Sequence, residues 1–385
     1  MKKMFQLIET YSLPLLTGIL LALLWANLAP HSYHALAEAK IPFFDFTVHF
    51  AVKEIFMTFF FAVAMVEVVE AVLPGGAMSP LKKAINPLLA TVGGVVGPIL
   101  VFLVLATVCD GQAYLKGWGI VTATDIAVAW LGAKLIFGSD HPAVKYLLLL
   151  AVADDAVGLL IIGIFYPTAP IRISYLILCL LGMGIAWLLR HMHTEHYGFY
   201  LVLGGAPAWL GLHLANVEPA LALVLIVPFL PSVHRRDLLV DAGMITPDVK
   251  KMPLEQFYYH WHPLTTYGLF FFGLVSAGVE FSSLNTVTYL IVIALLLGKL
   301  GGIFLCGSLS HRLGFSLPEG MGRRDLLIIA AVAGVGLTVS LFICESAFVA
   351  PEVSGAAKMG ALFSIAALPL AYILNIIVRK KPNGK

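Results

Sequence analysis

The chain has 385 residues, of which 60% are hydrophobic and 12% are charged, and its formal net charge is +2. Soluble globular domains carry about 25% charged residues, so this composition excludes an ordinary soluble enzyme. The small net charge gives no reason to expect a nucleic-acid partner. The composition instead predicts an all-α polytopic membrane protein with a single transmembrane domain over residues 1–385.

Hydrophobic runs, separated by polar or Pro/Gly-rich joints, predict about 12 transmembrane helices, because about 20 helical residues cross a bilayer. Their approximate limits are 12–30, 52–73, 86–108, 118–137, 143–166, 173–190, 198–213, 215–231, 258–280, 286–310, 324–349 and 357–378. An even number of spans places most of the 24 Lys and Arg residues on the side that holds both termini. Since positively charged loops stay in the cytoplasm, both termini are predicted to be cytoplasmic.

Two adjacent acids, Asp154 and Asp155, interrupt an apolar segment over residues 145–166. Each carboxylate costs about 2.5–3.5 kcal/mol at the centre of a membrane helix on insertion scales. Membrane proteins retain such residues where they face a wet cavity, bind an ion or take up protons. The alternative is a buried polar pair that only joins helices, for which one aspartate would suffice.

A third acid, Asp125, ends the run GIVTATD, in which Gly119, Thr122 and Thr124 weaken the helix. Transporters often place broken helices at the membrane midplane, where freed carbonyl groups meet the ion. The alternative for Asp125 is a helix N-cap at the start of a span. Its place about seven residues into the predicted span 118–137 favours a role inside the membrane.

A second weak stretch, AGVGLT at residues 333–338, lies in the eleventh predicted span. Glycines destabilise a helix interior, although close helix packing is an alternative explanation. Span four is the second of three helices that begin at span three, and span eleven is the second of three that begin at span ten. Interrupted segments at matching places in two halves are a pointer to a transport site.

Lys299 lies in the middle of an apolar run. A buried ammonium group needs a partner or loses its proton, and the candidates are Asp154 and Asp155. Because adjacent helical residues point about 100° apart, one acid can pair with Lys299 while the other faces a cavity. Snorkelling of the lysine towards the membrane surface is the alternative.

Other polar features permit two interpretations each. The joint 231–256, which contains His234, is either a pH-responsive gate or a solvated linker. Glu67 and Glu70 line a cytoplasmic entry funnel or form surface pairs. Residues 31–49 are a candidate extracellular hairpin and a candidate contact in a homodimer.

The chain has no GxxxxGK[ST] motif, so ATP does not drive it, and no cofactor is predicted. Hard cations such as Na⁺ or Li⁺ prefer oxygen ligands, which Asp154, Asp155 and Thr124 offer. Since burial disfavours a charged carboxylate, a proton and a cation would compete for such a site. The sequence therefore predicts a proton-driven antiporter rather than an enzyme.

Three alternatives are weaker. A channel needs repeated rings of acids, and this chain offers one compact cluster. A sodium-coupled solute symporter of the same general fold needs a larger substrate cavity. An intramembrane aspartyl protease needs its two acids on facing helices, whereas Asp154 and Asp155 are adjacent.

The chain resembles the NhaA-type sodium/proton antiporters over nearly its full length. The first matching stretches are GWGIVTATDIA at 117–127 and the aspartate pair in its apolar segment at 145–166. The others are HPLTTYGLFFFGLVSAGVEF at 262–281, LGKLGGI at 297–303, and the range 317–348 with LPEG, AGVGLTVS and SAF. The resemblance implies 12 helices, inverted repeats and crossed broken helices at spans four and eleven. It also implies core repeats at about 86–166 and 286–378, with scaffold helices at about 12–73 and 173–280.

The resemblance implies a role for each candidate residue. Asp155 would be the principal cation and proton carboxylate, and Asp154 its neighbour, partnered by Lys299. Asp125 and Thr124 would hold the crossing of the broken helices. Glu67 matches an acid of the family's cytoplasmic funnel.

With both aspartates present, the resemblance implies electrogenic export of Na⁺ in exchange for H⁺ across a bacterial inner membrane. Three positions depart from the family pattern: Leu300 replaces a common proline, the second funnel acid is displaced to Glu70, and the aspartate motif reads AVADDAVG over residues 151–158.

Overall fold

The computed structural model describes residues 13–42, 45–73, 75–79, 81–232 and 252–380, and within these ranges the chain is almost entirely helical. The helices are α1 (Leu13–Leu28), α2 (Pro30–Glu38), α3 (Val48–Val72), α4 (Leu81–Val108), α5 (Ile126–Phe137), α6 (Pro142–Phe165), α7 (Leu176–His191), α8 (Ala206–Leu214), α9 (Pro219–Phe229), α10 (Pro253–Ser276), α11 (Thr286–Arg312), α12 (Arg323–Val332), α13 (Thr338–Ala347), α14 (Pro351–Phe363) and α15 (Ala367–Lys380).

Each predicted span coincides with one helical segment or with a broken pair. Among the described residues, six helices are long and apolar enough to cross a membrane: Val48–Val72, Ala84–Val108, Pro142–Phe165, Ile173–His191, Thr286–Arg312 and Pro351–Val378. The protein is therefore a multi-pass membrane protein.

Spans four and eleven are interrupted, as their sequences predict. In span four a 3₁₀ segment, Gln112–Gly119, is followed by non-helical residues until α5 begins at Ile126. In span eleven α12 ends at Val332 and α13 begins at Thr338. We call residues 120–125 the first break and residues 333–337 the second break.

The chain divides into two compact units. Unit 1 comprises the described parts of Met1–Ala39, Leu81–Gly158 and Leu269–Lys385. Its centre is formed by α12 and α13, where every residue from Ile328 to Cys344 is buried. A helix that is apolar on all sides belongs in the interior, so both halves of the broken span lie within the packed core of this unit.

The long helix α4 packs along α11 in unit 1, with glycine facing glycine. A Cβ atom on Gly97 would lie 2.5 Å from the carbonyl oxygen of Gly298, and one on Gly93 would collide with the backbone of Gly302. Small residues of this kind let helix backbones approach closely in membranes. The segment of α11 that carries Lys299 is therefore held directly against α4.

Unit 2 comprises the described parts of Lys40–Pro80 and Leu159–Gly268. Here α7 packs closely on α8: a Cβ atom on Gly211 would lie 2.8 Å from Cys179 Sγ. The rings of Phe59 and Trp261 stack with their centroids 3.7 Å apart. These contacts join α3 to the first half of α10.

The hairpin predicted for residues 31–49 is wrong over most of its length. Residues Pro30–Glu38 form α2, with proline at the first helical position where its missing N–H costs nothing. Among the described residues of this stretch, Lys40 and Thr47 alone form an antiparallel bridge, and Lys40 pairs with Asp45. The alternating apolar residues within 31–49 favour a strand pair, but the chain forms a helix over the first part of this range.

Candidate ion-binding site

The two breaks lie against each other in the core of unit 1, where the backbone of one bonds to the other. Asp125 N donates to the carbonyl oxygen of Val335 at 2.8 Å. The hydroxyl of Thr124 donates to the carbonyl oxygen of Ala333 at 3.0 Å. Because interrupted helices leave N–H and C=O groups unsatisfied, each break supplies partners that the other lacks.

Asp125 caps two helices at once. Its Oδ1 accepts from Val128 N at 3.0 Å at the start of α5, and its Oδ2 accepts from Thr338 N at 3.2 Å at the start of α13. The side chain is 2% exposed. A negative charge at a helix N-terminus is favourable, so one carboxylate stabilises both half-helices. Asp125 is therefore an N-cap, but one placed at the break rather than at the start of the span.

Lys299 is fully buried and uses its three N–H donors on three oxygen atoms. They are the carbonyl oxygen of Thr122 at 2.6 Å, Thr124 Oγ1 at 2.6 Å and Asp154 Oδ2 at 2.5 Å. A buried ammonium persists when it is paired and fully hydrogen-bonded. Lys299 therefore ties the first break to the helix that carries the aspartate pair, and it does not snorkel.

The two aspartates have different surroundings. Asp154 is 1% exposed and bonds to Lys299 through Oδ2, whereas its Oδ1 is buried and makes no hydrogen bond to the described residues. Asp155 is 7% exposed and lies near enough to Lys299 for electrostatic attraction. The structure thus brings Asp154, Asp155, Thr124, Asp125 and Lys299 together, with one aspartate paired and its neighbour more accessible.

Thr124 has its hydroxyl engaged on both sides, since it accepts from Lys299 and donates to Ala333. Its role as an oxygen ligand for a cation stays a prediction. Within the described residues no group of three or more His, Cys, Asp or Glu side chains is placed to hold a metal ion. A cation at this site would thus rely on the aspartates together with backbone or hydroxyl oxygens.

The remaining predicted residues lie in unit 2 or outside the described chain. Glu67, on α3, accepts a hydrogen bond from Tyr258 OH at 3.4 Å. Glu70, one turn further along α3, is exposed. His234 lies outside the described residues. Their roles in a funnel or a pH response stay predictions.

Two buried serines at the breaks were not predicted from the sequence. Ser340 Oγ donates to the carbonyl oxygen of Ile120 at 2.7 Å. Ser364 Oγ accepts from Gly336 N at 2.9 Å, so a side chain from outside either break satisfies the second break. A serine in an apolar helix commonly bonds to its own helix, so the sequence carries no signal for these long-range contacts.

The family model described as Na⁺/H⁺ antiporter 1 matches residues 2–375 of this chain. The chain belongs to that family. A relative from Geotalea uraniireducens, named Na(+)/H(+) antiporter NhaA, is 51% identical and the match covers 96% of each chain. One from Desulfitobacterium hafniense with the same name is 48% identical over 98% of this chain and 96% of the relative.

A solved structure shows the same fold at low sequence identity. The sodium proton antiporter MjNhaP1 from Methanocaldococcus jannaschii superposes with a TM-score of 0.56, at 14% identity, covering 96% of this chain and 92% of that one. At this identity the likeness concerns the fold alone. The family assignment rests on the family model and on the relatives that are about half identical.

Proposed function

We propose that this protein is a secondary transporter that exchanges Na⁺ or Li⁺ for H⁺ across a bacterial inner membrane. The observation that carries the proposal is the buried Asp154–Lys299 pair beside Asp155, at the contact between the two breaks. The relatives that bear the name Na(+)/H(+) antiporter support it, and they are transporters rather than enzymes.

Asp155 is the carrier in this proposal. Lys299 neutralises the charge of Asp154. The second negative charge of the site belongs to Asp155, which is the more exposed of the two acids. In a low-dielectric site a carboxyl group is stable when it binds either a proton or a cation. A cation that enters from one side displaces the proton, and a proton from the other side releases the cation.

Asp154 and Lys299 provide a second titrating element. A cation bound at Asp155 lies close to the ammonium group of Lys299 and repels it. Binding of the cation therefore favours loss of a further proton from the pair. We infer that more protons than cations move in each cycle, so exchange is electrogenic and the proton gradient drives Na⁺ export from the cytoplasm.

The alternatives have less support. The comparisons include antiporters and give no support to a sodium-coupled solute symporter. In an aspartyl protease two carboxyl groups hold one water between them, which Asp154 and Asp155 on one helix cannot do, because neighbouring residues diverge by about 100°.

The experiment uses the full chain reconstituted in vesicles that contain a pH-sensitive dye. Addition of Na⁺ or Li⁺ is expected to release protons from vesicles with the wild-type protein. Asp155→Asn should abolish this release while the protein stays folded. Asp140→Asn, which changes an exposed aspartate of unit 1, is the matched control and should exchange normally. Normal exchange by Asp155→Asn would refute Asp155 as the carrier.

A further inference from the structure

A buried asparagine in α4 joins three helices outside the breaks. Asn86 is 1% exposed. Its Nδ2 donates to the carbonyl oxygens of Gly307 at 3.1 Å and Phe315 at 2.8 Å, and its Oδ1 accepts from Tyr146 OH at 2.8 Å. Two carbonyl acceptors on one side and a hydroxyl donor on the other fix the orientation of the amide. Every hydrogen on the amide nitrogen is used.

The partners of Asn86 lie on the two helices that carry the charge pair. Tyr146 precedes Asp154 by eight residues on α6, and Gly307 follows Lys299 by eight residues on α11. Eight helical residues span about 12 Å. The asparagine therefore fastens α6 to α11 at about the same distance from each member of the Asp154–Lys299 pair.

Between Asn86 and the charge pair, α4 contacts both α6 and α11. The hydroxyl of Thr91, five residues further along α4, lies 3.3 Å from the carbonyl oxygen of Leu150 on α6. Beyond it, the Gly97–Gly298 contact fixes α4 against α11 beside Lys299. Glycine contacts set the distance between helices but allow them to slide, whereas hydrogen bonds from one rigid amide fix the position along the helix axis.

We propose that Asn86 is a positioning residue for cation exchange: through Tyr146 and Gly307 it sets the depth at which Lys299 meets Asp154 and hence the geometry of the cation site. This inference rests on the proposed antiport function. A leucine at this position would fill a similar volume without fixing either helix along its axis. The Lys299 contacts, all at hydrogen-bonding distance, would then lose their alignment.

The test measures proton release from vesicles at a series of Na⁺ concentrations. Asn86→Leu should raise the Na⁺ concentration for half-maximal exchange about tenfold, which corresponds to ~1.4 kcal/mol, with a smaller effect on the maximal rate. Loss of folded protein alone would lower the maximal rate and leave the half-maximal concentration unchanged.

Asn27→Leu is the matched control. Asn27 also makes three hydrogen bonds, one within α1 to the carbonyl oxygen of Leu23 at 2.8 Å and two to another segment of unit 1, to the carbonyl oxygen of Val279 at 2.9 Å and from Phe281 N at 2.9 Å. It contacts neither α6 nor α11 through them. Asn27→Leu should lower the unfolding temperature and leave the half-maximal Na⁺ concentration as in the wild type.

A double variant, Asn86→Leu with Tyr146→Phe, separates positioning from stability. Removing the tyrosine hydroxyl that Asn86→Leu leaves unsatisfied should restore part of the unfolding temperature. It should not restore the half-maximal Na⁺ concentration, because the hydrogen bond between position 86 and Tyr146 of α6 is still missing. Recovery of both quantities, or a wild-type Na⁺ dependence in Asn86→Leu, would overturn the proposal. If the wild type itself shows no Na⁺-induced proton release, the antiport function fails instead.

Discussion

The two breaks solve the same structural problem with different chemistry. The first break carries side chains that form hydrogen bonds, namely those of Asp125 and Thr124, and the backbone carbonyl of Thr122 also accepts from Lys299. The second break has no charged side chain and relies on backbone groups, with Gly334 and Gly336 giving room for close contact. The comparison indicates that the first break determines the electrostatics of the site, whereas the second supplies the backbone groups against which the first packs.

The largest expected effect concerns Lys299, the charged residue of α11 that bonds to the first break. Lys299→Ala leaves Asp154 buried without its cation and should destabilise the protein by about 3–5 kcal/mol. Thermal unfolding in detergent measures this loss. Adding Asp154→Asn should recover much of it, because the uncompensated charge is then removed. An unchanged unfolding temperature in Lys299→Ala would count against the pair as a stabilising contact.

Removal of Asp125 tests whether one residue of the first break stabilises both α5 and α13. Asp125→Ala deprives α5 and α13 of their N-cap, and two caps at 0.5–2 kcal/mol each give a loss of about 1–4 kcal/mol. The control Asp325→Ala removes a single exposed cap, to Gly322 N, and should cost about 1 kcal/mol or less. Equal losses in the two variants would mean that Asp125 supports only one helix.

Added volume in the second break should disturb the first. A Cβ atom on Gly336 would lie 2.7 Å from Ser340 Oγ and 3.1 Å from the carbonyl oxygen of Ala123. Gly336→Ala should therefore cost about 1–3 kcal/mol through overpacking. Gly301→Ala meets no atom within 4 Å in the same unit and should be neutral or stabilising by up to about 1 kcal/mol. Similar unfolding temperatures for both variants would show that the breaks tolerate separation.

The smallest expected effect belongs to the serine that satisfies the second break. Ser364→Ala removes the acceptor for Gly336 N and should cost about 1 kcal/mol. Since no charge of the first break is involved, the Na⁺ concentration for half-maximal exchange should stay as in the wild type. A change in Na⁺ dependence with full stability would show that the second break takes part in cation binding directly.

Local chemistry explains which features could be predicted from the sequence. Breaks at residues 120–125 and 333–337 follow from glycine and threonine in apolar segments, and the need of a buried ammonium for a partner points from Lys299 to the aspartates. The breaks depend on the composition of one segment each, and the pairing of Lys299 depends on how few charges the apolar segments contain. The helical class and the two interruptions are confirmed, whereas the functional roles of the site residues stay predictions.

Most other contacts between residues distant in the chain could not be predicted. The cap from Asp125 to Thr338 joins residues 213 apart in the chain, and nothing near Asp125 indicates a second helix. The hydrogen bonds of Asn86 to α6 and α11 could likewise not be predicted, because an asparagine in an apolar helix indicates no particular partner. The hairpin predicted over residues 31–49 is wrong for a local reason: a short alternating pattern is a weaker signal than the proline that starts α2.

The single carboxylate shared by α5 and α13 has a mechanical consequence. Separating the two half-helices would strand backbone N–H groups and a charge in a medium that solvates neither. In the exchange that we propose, the two half-helices would therefore have to move together as one rigid body.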